Sequence, residues 1–161
     1  MKRALWTLAL LVAACSREEP RVTAEPDAAT KQALPVETLA APASGEVQEI
    51  VRGELGRAKG EGRTLVVYVG AVWCEPCQHF HDAAKAGKLD GVFPGLRLLE
   101  FDLDRDADRL AKAGYASRMI PLFALPRADG TSSGEQIQGS IKGPGAVENI
   151  TPRLRALLAK Q

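Results

Sequence analysis

The sequence predicts an α/β domain in which a central β-sheet of mixed strand direction is flanked by helices. The first observation is a continuous apolar, β-branched run at residues 65–69, typical of a central strand covered on both faces. The second is that segments with helical spacing of apolar residues alternate with further strand-like runs. The third is the Asp129-Gly130 turn between the last two strand-like runs, which predicts a hairpin. Strands that alternate with helices and end in a hairpin build a mixed sheet.

The predicted elements follow one another from residue 46 to the C-terminus. Apolar residues recur with helical spacing in 46–59, and glycines follow this helix before the strand at 65–69. The remaining predicted elements are a helix at 77–86, a strand at 96–103, a helix at 107–113, strands at 122–125 and 135–140, and a helix at 149–159 with Pro152 in its first turn.

The composition is that of a globular protein without a dominant charge. The chain has 161 residues, of which 45% are hydrophobic, so one ordinary domain with a sizeable core is expected. Its 21 basic residues balance 20 acidic ones, which gives no field that would attract nucleic acid. Aromatic residues are few, and no basic run is interleaved with them to stack bases. We therefore expect no nucleic-acid partner.

Residues 1–14 are predicted to be a signal peptide. Two basic residues precede the apolar run 4–13, which is shorter than the roughly 20 residues that a membrane-spanning helix needs. The stretch Val12-Ala13-Ala14-Cys15 resembles the lipobox of bacterial lipoproteins, in which the peptidase cuts before the cysteine and the thiol carries a diacylglycerol. This resemblance implies that Cys15 is lipidated and that the protein faces the periplasm from a membrane. Ser16 favours the outer membrane, and an ordinary signal peptide cut nearby is the alternative.

Residues 15–45 are predicted to be a flexible tether between the lipid and the domain. This segment is rich in proline, alanine, glutamate and threonine and has little apolar surface to bury. Within it, residues 34–39 could form a short edge strand. No repeat or second linker divides the rest of the chain, so residues 46–161 are expected to form a single domain.

Two of the three cysteines, Cys74 and Cys77, lie where the strand at 65–69 gives way to a helix. A cysteine at a helix N-terminus meets unpaired N–H groups and the positive end of the helix dipole, which favour the thiolate. Cys74 is therefore the expected attacking sulfur. Cys77 lies three residues further on the same helical face, where it can resolve a mixed disulfide. Pro76 suits the first turn of that helix.

The motif Trp73-Cys-Glu-Pro-Cys77 resembles the active site of the thioredoxin superfamily, and its Glu-Pro pair resembles membrane-anchored reductases of the TlpA and ResA type. Tyr115 followed by Arg118-Met-Ile-Pro121 is similar to the segment that carries the cis-proline of thioredoxins. Gln138-Gly139 matches the glycine of the third substrate-contact loop. The resemblance implies a thioredoxin fold for residues 46–161, with catalytic Cys74 and Cys77 supported by Trp73, Glu75, Pro76, Ile120, Pro121 and Gly139.

The same resemblance implies the activity and the partners. The chain is expected to be a thiol-disulfide oxidoreductase whose Cys74-Cys77 disulfide is the redox centre, with no separate cofactor and no metal. Ile120 before the proline and Pro76 within the motif favour a reductase of protein disulfides over an oxidant. The expected partners are cysteine-containing proteins and a membrane thiol electron shuttle. The protein is expected to be a monomer.

The sequence departs from thioredoxins at two positions near the second cysteine. Thioredoxins place a buried aspartate six residues before the first cysteine, and this chain has Tyr68 there. On the neighbouring strand, where thioredoxins often carry a lysine, this chain has Glu100. Our hypothesis is that Glu100 reaches toward Cys77 and handles its proton. The strand pattern does not determine which face of the sheet Glu100 lies on, because apolar residues occupy both alternating sets of positions around it.

Three other interpretations of the motif stay open. Two thiolates with His79 and His81 suit zinc or copper, although helix geometry points these two histidines about 200° apart, and we expect both on the exposed helix surface. A purely structural disulfide is also possible, but so short a loop gives little stabilisation. Trp73 either packs in the core or lines a docking surface. The alternative function is a non-catalytic lipoprotein that acts as a metal chaperone or assembly adaptor.

Overall fold

The structure is a computed structural model, and it describes residues 34–161. The predicted signal peptide, Cys15 and most of the predicted tether lie outside the described residues. No helix within this part of the chain is long and apolar enough to cross a membrane. The elements are β1 (Glu37–Ala40), α1 (Val47–Gly60), β2 (Thr64–Gly70), α2 (Glu75–Lys85), β3 (Leu96–Asp102), α3 (Leu103–Lys112), β4 (Leu122–Pro126), β5 (Ser132–Gln138) and α4 (Ala146–Leu158).

The five strands form one mixed sheet in the order β1-β3-β2-β4-β5. Strands β1, β3 and β2 are parallel, while β4 runs antiparallel to β2 and pairs with β5 as a hairpin. The predicted fold class is therefore confirmed. Strand β2 lies in the centre, and all of its residues after Thr64 are buried. This explains its continuous apolar sequence, because both faces are covered.

The folded part begins earlier than residue 46. Strand β1 lies in the segment assigned to the tether, and its Leu39 pairs with Leu99 of β3. Backbone bonds extend the pairing on both sides, from the Gly95 N–H to the Leu34 carbonyl at 2.7 Å and from the Ala41 N–H to the Glu100 carbonyl at 2.8 Å. The possible edge strand is therefore present. Composition predicts this strand to be part of the tether, because an edge strand can be short and largely exposed.

Each face of the sheet has its own apolar core. The first lies under α2 and α4 and includes Tyr68, Phe80 and both cysteines. The second lies under α1 and α3 and includes Val51 and Phe101. Even-numbered residues of β2 and β3 face the first core and odd-numbered residues face the second, as strand alternation requires. The cysteines therefore share a face with the even-numbered side chains of both strands.

Three helices begin earlier than predicted. Helix α2 begins at Glu75, two residues before the expected start at 77. Helix α3 begins at Leu103 because the Asp102 carboxylate accepts a hydrogen bond from the Arg105 N–H, which caps the helix four residues before the expected start. Helix α4 begins at Ala146, so Pro152 lies inside the helix and the expected first-turn position is wrong. Strand β5 also begins earlier, at Ser132.

Arg97 joins three elements at the beginning of β3. It is only 5% exposed, and its Nε and Nη1 atoms donate to Glu37 at 2.8 Å and to Glu54 at 2.7 Å. Its Nη2 donates to Glu61. Glu54 is itself buried, so this is a partly buried ion cluster in which every charged head has a partner. We call these four residues the Arg97 cluster.

Candidate active site

Cys74 occupies the N-cap position of α2, directly after the loop that leaves β2. It forms a disulfide with Cys77, with the two Cα atoms 5.2 Å apart. The Cys77 N–H also donates to the Cys74 Sγ at 3.3 Å, so the sulfur takes the place of a capping oxygen. Pro76 lies in the first turn, as the sequence predicts. When the disulfide is reduced, this position supplies the N–H groups and the dipole that stabilise a Cys74 thiolate.

The loop before Cys74 is exposed although both cysteines are buried. Val72 and Trp73 are 78% and 62% exposed, whereas each cysteine is only 4% exposed. The Trp73 indole Nε1–H donates to Asp104 at 2.8 Å, which fixes the ring on the surface. Of the two interpretations of Trp73, core packing is therefore wrong. The ring instead forms an exposed apolar surface beside the disulfide.

The predicted cis Ile120-Pro121 bond is present. Ile120 packs against the core that contains both cysteines. The Gly139 N–H donates to the Pro121 carbonyl at 2.9 Å, and the positive φ of Gly139 (66°) suits glycine at this position. A Cβ on Gly139 would lie 3.2 Å from the Met119 Cβ. The loop that carries the cis-proline and the loop that carries Gly139 are therefore in direct contact.

Glu75 connects the motif to the loop before α4. Its Oε1 accepts a hydrogen bond from the Gly143 N–H at 3.1 Å. The same oxygen lies 3.7 Å from the Nε2 of His79, one turn further along α2. His79 is therefore near the motif, and its side chain is partly exposed as predicted.

The loops around the motif expose several large apolar side chains. Besides Val72 and Trp73, Met119 is 57% exposed and Ile141 is 54% exposed. They lie in the three loops that follow β2, precede Pro121 and precede α4. We call these four residues the apolar rim. Exposed apolar side chains concentrated in the loops of one site are typical of a surface that binds another protein.

A cleft of about 420 Å³ lies beside Cys77. Cys77, His81 and Glu100 line it, with Gly70 at the end of β2. The His81 Nε2 and a Glu100 carboxylate oxygen are 3.0 Å apart, close enough to pair but without the alignment of a hydrogen bond. Glu100 thus faces the same cleft as Cys77, but its nearest charged partner is His81. The expectation that His81 lies on the exposed surface is wrong, because its side chain is 23% exposed and packs inward.

Tyr68 packs beside this pair. It is paired with Glu100 in the β2–β3 register, and its ring lies 5.4 Å from the His81 ring. Its hydroxyl is fully buried and has no hydrogen-bond partner among the described residues. Burial, reinforced by the Glu100 carboxylate, raises the pKa of Tyr68. The sequence indicates Tyr68 and Glu100 but not the contact of Glu100 with His81, for which the available signal is the position of His81 four residues after Cys77.

The two histidines do not converge on the cysteines. His79 lies beside Glu75 and His81 beside Glu100, on different sides of α2. Within residues 34–161 no group of three or more cysteine, histidine or acidic residues is arranged to hold a metal ion. The combined metal site considered from the sequence is therefore not assembled in this structure.

The mixed five-stranded sheet with flanking helices is a thioredoxin-like fold. Among solved structures, thioredoxin NaTrxh from Nicotiana alata matches with 19% identity and a TM-score of 0.50, over 78% of this chain and 93% of that one. A thioredoxin from Fasciola hepatica matches with 22% identity and a TM-score of 0.47, over 79% and 98%. At these identities the likeness concerns the fold. No protein-family model and no curated protein matches the chain.

Proposed function

We propose that this protein is a thiol-disulfide oxidoreductase that exchanges electrons between the Cys74-Cys77 pair and cysteines of other proteins. The observation that carries the proposal is the place of Cys74 at the N-cap of α2, with the Cys77 N–H directed at its sulfur. A sulfur held by helix N–H groups is the better nucleophile and leaving group of the two. The disulfide in a thioredoxin-like fold is consistent with this chemistry.

In the proposed reaction the Cys74 thiolate attacks one sulfur of a substrate disulfide. That bond breaks, and the second substrate sulfur leaves as a thiolate that takes a proton from water. The Cys77 thiolate then attacks the Cys74 Sγ, forms the Cys74-Cys77 disulfide and releases the first substrate sulfur. The substrate disulfide is reduced to two thiols, and the two cysteines of this protein are oxidised.

The apolar rim supports a protein as the substrate. Its residues surround a disulfide that is itself almost fully buried, so a substrate must first dock on these side chains. An extended peptide with apolar residues beside its cystine would cover Trp73 and Met119 and bring its sulfur to Cys74. A small, hydrated thiol would gain little from this surface.

We place the protein among lipid-anchored reductases of the bacterial cell envelope, similar to the TlpA and ResA type. The lipobox at Cys15, the Glu75-Pro76 dipeptide and Ile120 before the cis-proline support this assignment. The domain would then face the periplasm as a monomer, with the outer membrane favoured by Ser16. A membrane thiol electron shuttle would return the Cys74-Cys77 pair to the dithiol.

Reduction of insulin disulfides with dithiothreitol as the electron source tests the proposal. We expect the purified full-length chain to accelerate insulin precipitation, and Cys74→Ser to reduce the rate to that of dithiothreitol alone. Cys15→Ser is the matched control and keeps full activity, because the third cysteine lies outside the redox pair. An inactive wild-type chain that retains one equivalent of zinc or copper through dialysis would instead support the metal-chaperone alternative.

A further inference from the structure

We infer that His81 and Glu100 act together as the proton acceptor for Cys77 in the step that releases the substrate. The inference rests on the proposed function and extends it to a pair of residues that face Cys77 across one cleft. The resolving step needs such an acceptor because Cys77 is 4% exposed, and burial in an apolar place disfavours its thiolate.

The geometry places the pair in the same cleft as the second cysteine. His81 lies four residues after Cys77 on α2, so the two side chains share one helix face. Glu100 comes from β3 and brings a carboxylate oxygen to 3.0 Å from the His81 Nε2. All three residues line the same cleft, whose volume of about 420 Å³ admits water. Cys74 does not line this cleft, so the acceptor serves one cysteine selectively.

The imidazole of this pair is incompletely satisfied in the oxidised protein. The His81 Nε2 is buried without an aligned hydrogen bond, and the neighbouring Tyr68 hydroxyl has no partner among residues 34–161. A purely structural cluster would be expected to pair such buried polar atoms, because each unpaired one costs about 1–3 kcal/mol. A site that takes up and releases a proton must instead keep an acceptor position open.

The other groups that face the pair are less suited to the role. Burial raises the pKa of Tyr68, so its hydroxyl stays protonated and accepts no proton from a thiol. Asp102 caps α3 by accepting a hydrogen bond from the Arg105 N–H. Asp82 and Lys85 follow His81 on α2 and line the same cleft, but both are exposed to solvent.

The resolving step moves one proton and one electron pair. The Cys77 S–H gives its proton to the His81–Glu100 pair, through water in the cleft, and its sulfur attacks the Cys74 Sγ. The bond between Cys74 and the substrate sulfur breaks, and the electron pair leaves with the substrate thiolate. The acceptor pair later returns its proton to solvent. General base assistance of this kind is typically worth 10²–10⁴-fold in rate.

The two chemical steps can be measured separately with an aromatic disulfide that releases one coloured thiolate when Cys74 attacks and a second when Cys77 resolves. All proteins are full chains carrying Cys15→Ser, so that Cys74 and Cys77 are the only thiols. Wild type, Glu100→Gln, His81→Asn and the double variant are reduced and followed by stopped flow from pH 5 to 9. His79→Asn is the matched control, because His79 lies on the same helix but outside the cleft.

We expect the first release to be unchanged and the second to slow at least about tenfold at neutral pH in either variant. Its pH profile should move to higher pH, since Cys77 must then ionise without help. The double variant should be no slower than the slower single variant, and Glu100→Asp should recover part of the rate. His79→Asn should leave both releases unchanged.

An unchanged second release in both single variants at every pH would overturn the inference while leaving the proposed function intact. Equal slowing by His79→Asn would also overturn it, because a general change of charge on α2 would then explain the result. A wild-type chain without a Cys74-dependent first release would overturn the proposed function itself.

Discussion

Strand β3 carries a charged cluster at each end, and the two clusters differ in how completely their polar atoms are paired. At its beginning, Arg97 donates to three carboxylates from β1 and from the helix α1 and the turn after it. Towards its end, Glu100 approaches His81 without a well-aligned bond, and the adjacent Tyr68 hydroxyl is unpaired among the described residues. The Arg97 cluster is complete and lies outside the cleft of Cys77, whereas the incompletely paired His81 and Glu100 line that cleft.

We interpret this difference as that between a structural role and the proposed chemical one. A buried charge that has all its partners holds elements together, because removing one partner leaves the others unsatisfied. An incompletely paired cluster contributes less to stability but keeps positions open for a proton. The Arg97 cluster should therefore control folding, and the residues at the other end should control the reaction of Cys77.

The largest stability effect is expected at the Arg97 cluster. Arg97→Leu leaves the buried Glu54 with only the exposed Arg57 as a partner, which should lower the free energy of unfolding by about 3–5 kcal/mol. Urea unfolding of the oxidised protein measures this change. Glu49→Gln is the control, because it breaks an exposed ion pair with Arg52 and should alter stability by less than about 1 kcal/mol. Equal effects of the two substitutions would contradict a structural role of the Arg97 cluster.

Alkaline pH is expected to destabilise the protein through its two tyrosines. Burial raises the pKa of Tyr68, with a contribution from Glu100, and burial with Asp129 raises the pKa of Tyr115. Their contribution to stability is complete below pH 10, the ordinary tyrosine pKa. Above it, the unfolded chain loses protons that the folded chain keeps, so the free energy of unfolding falls by about 1.4 kcal/mol per pH unit for each tyrosine. Unfolding curves at pH 9 to 11 measure the slope, and each Tyr→Phe variant should halve it.

The smallest effects come from removing the two hydroxyls at neutral pH. The Tyr115 hydroxyl donates to the Gly130 carbonyl at 2.9 Å, so Tyr115→Phe should cost about 1–2 kcal/mol. The unpaired Tyr68 hydroxyl gives no such bond and costs free energy while it is buried, so Tyr68→Phe should raise the free energy of unfolding by about 1–3 kcal/mol. A large loss with Tyr68→Phe would show that the cluster beside Cys77 is structural and would erase the contrast with the Arg97 cluster.

The sequence predicts well what short-range patterns determine. The apolar run of β2, the Asp129-Gly130 hairpin and the cysteines at a helix start all depend on neighbours in the chain, and the structure contains each of them. Strand β1 is harder to predict from the sequence, since its pairing partner lies about 60 residues away and its four residues are mostly exposed. Composition alone therefore set the domain boundary too late.

The contact between His81 and Glu100 cannot be predicted from the sequence, for a similar reason. Apolar residues flank Glu100 on both alternating sets of β3, so its face follows only from the pairing of β3 with β2 and the packing of α2 above them. Once that face is known, the position of His81 one turn after Cys77 brings the two side chains together. Long-range packing, and not local pattern, creates this part of the site.

The reduction potential of the Cys74-Cys77 pair tests the central claim most directly. The full chain is equilibrated with glutathione and dithiothreitol buffers of graded ratio, and the fraction of free thiols is read by alkylation and mass. We predict a single, reversible two-electron transition of the folded protein near the thioredoxin value of about −270 mV. A potential near −120 mV would contradict the reductase direction, and a disulfide that is reduced only when the protein unfolds would contradict the redox function altogether.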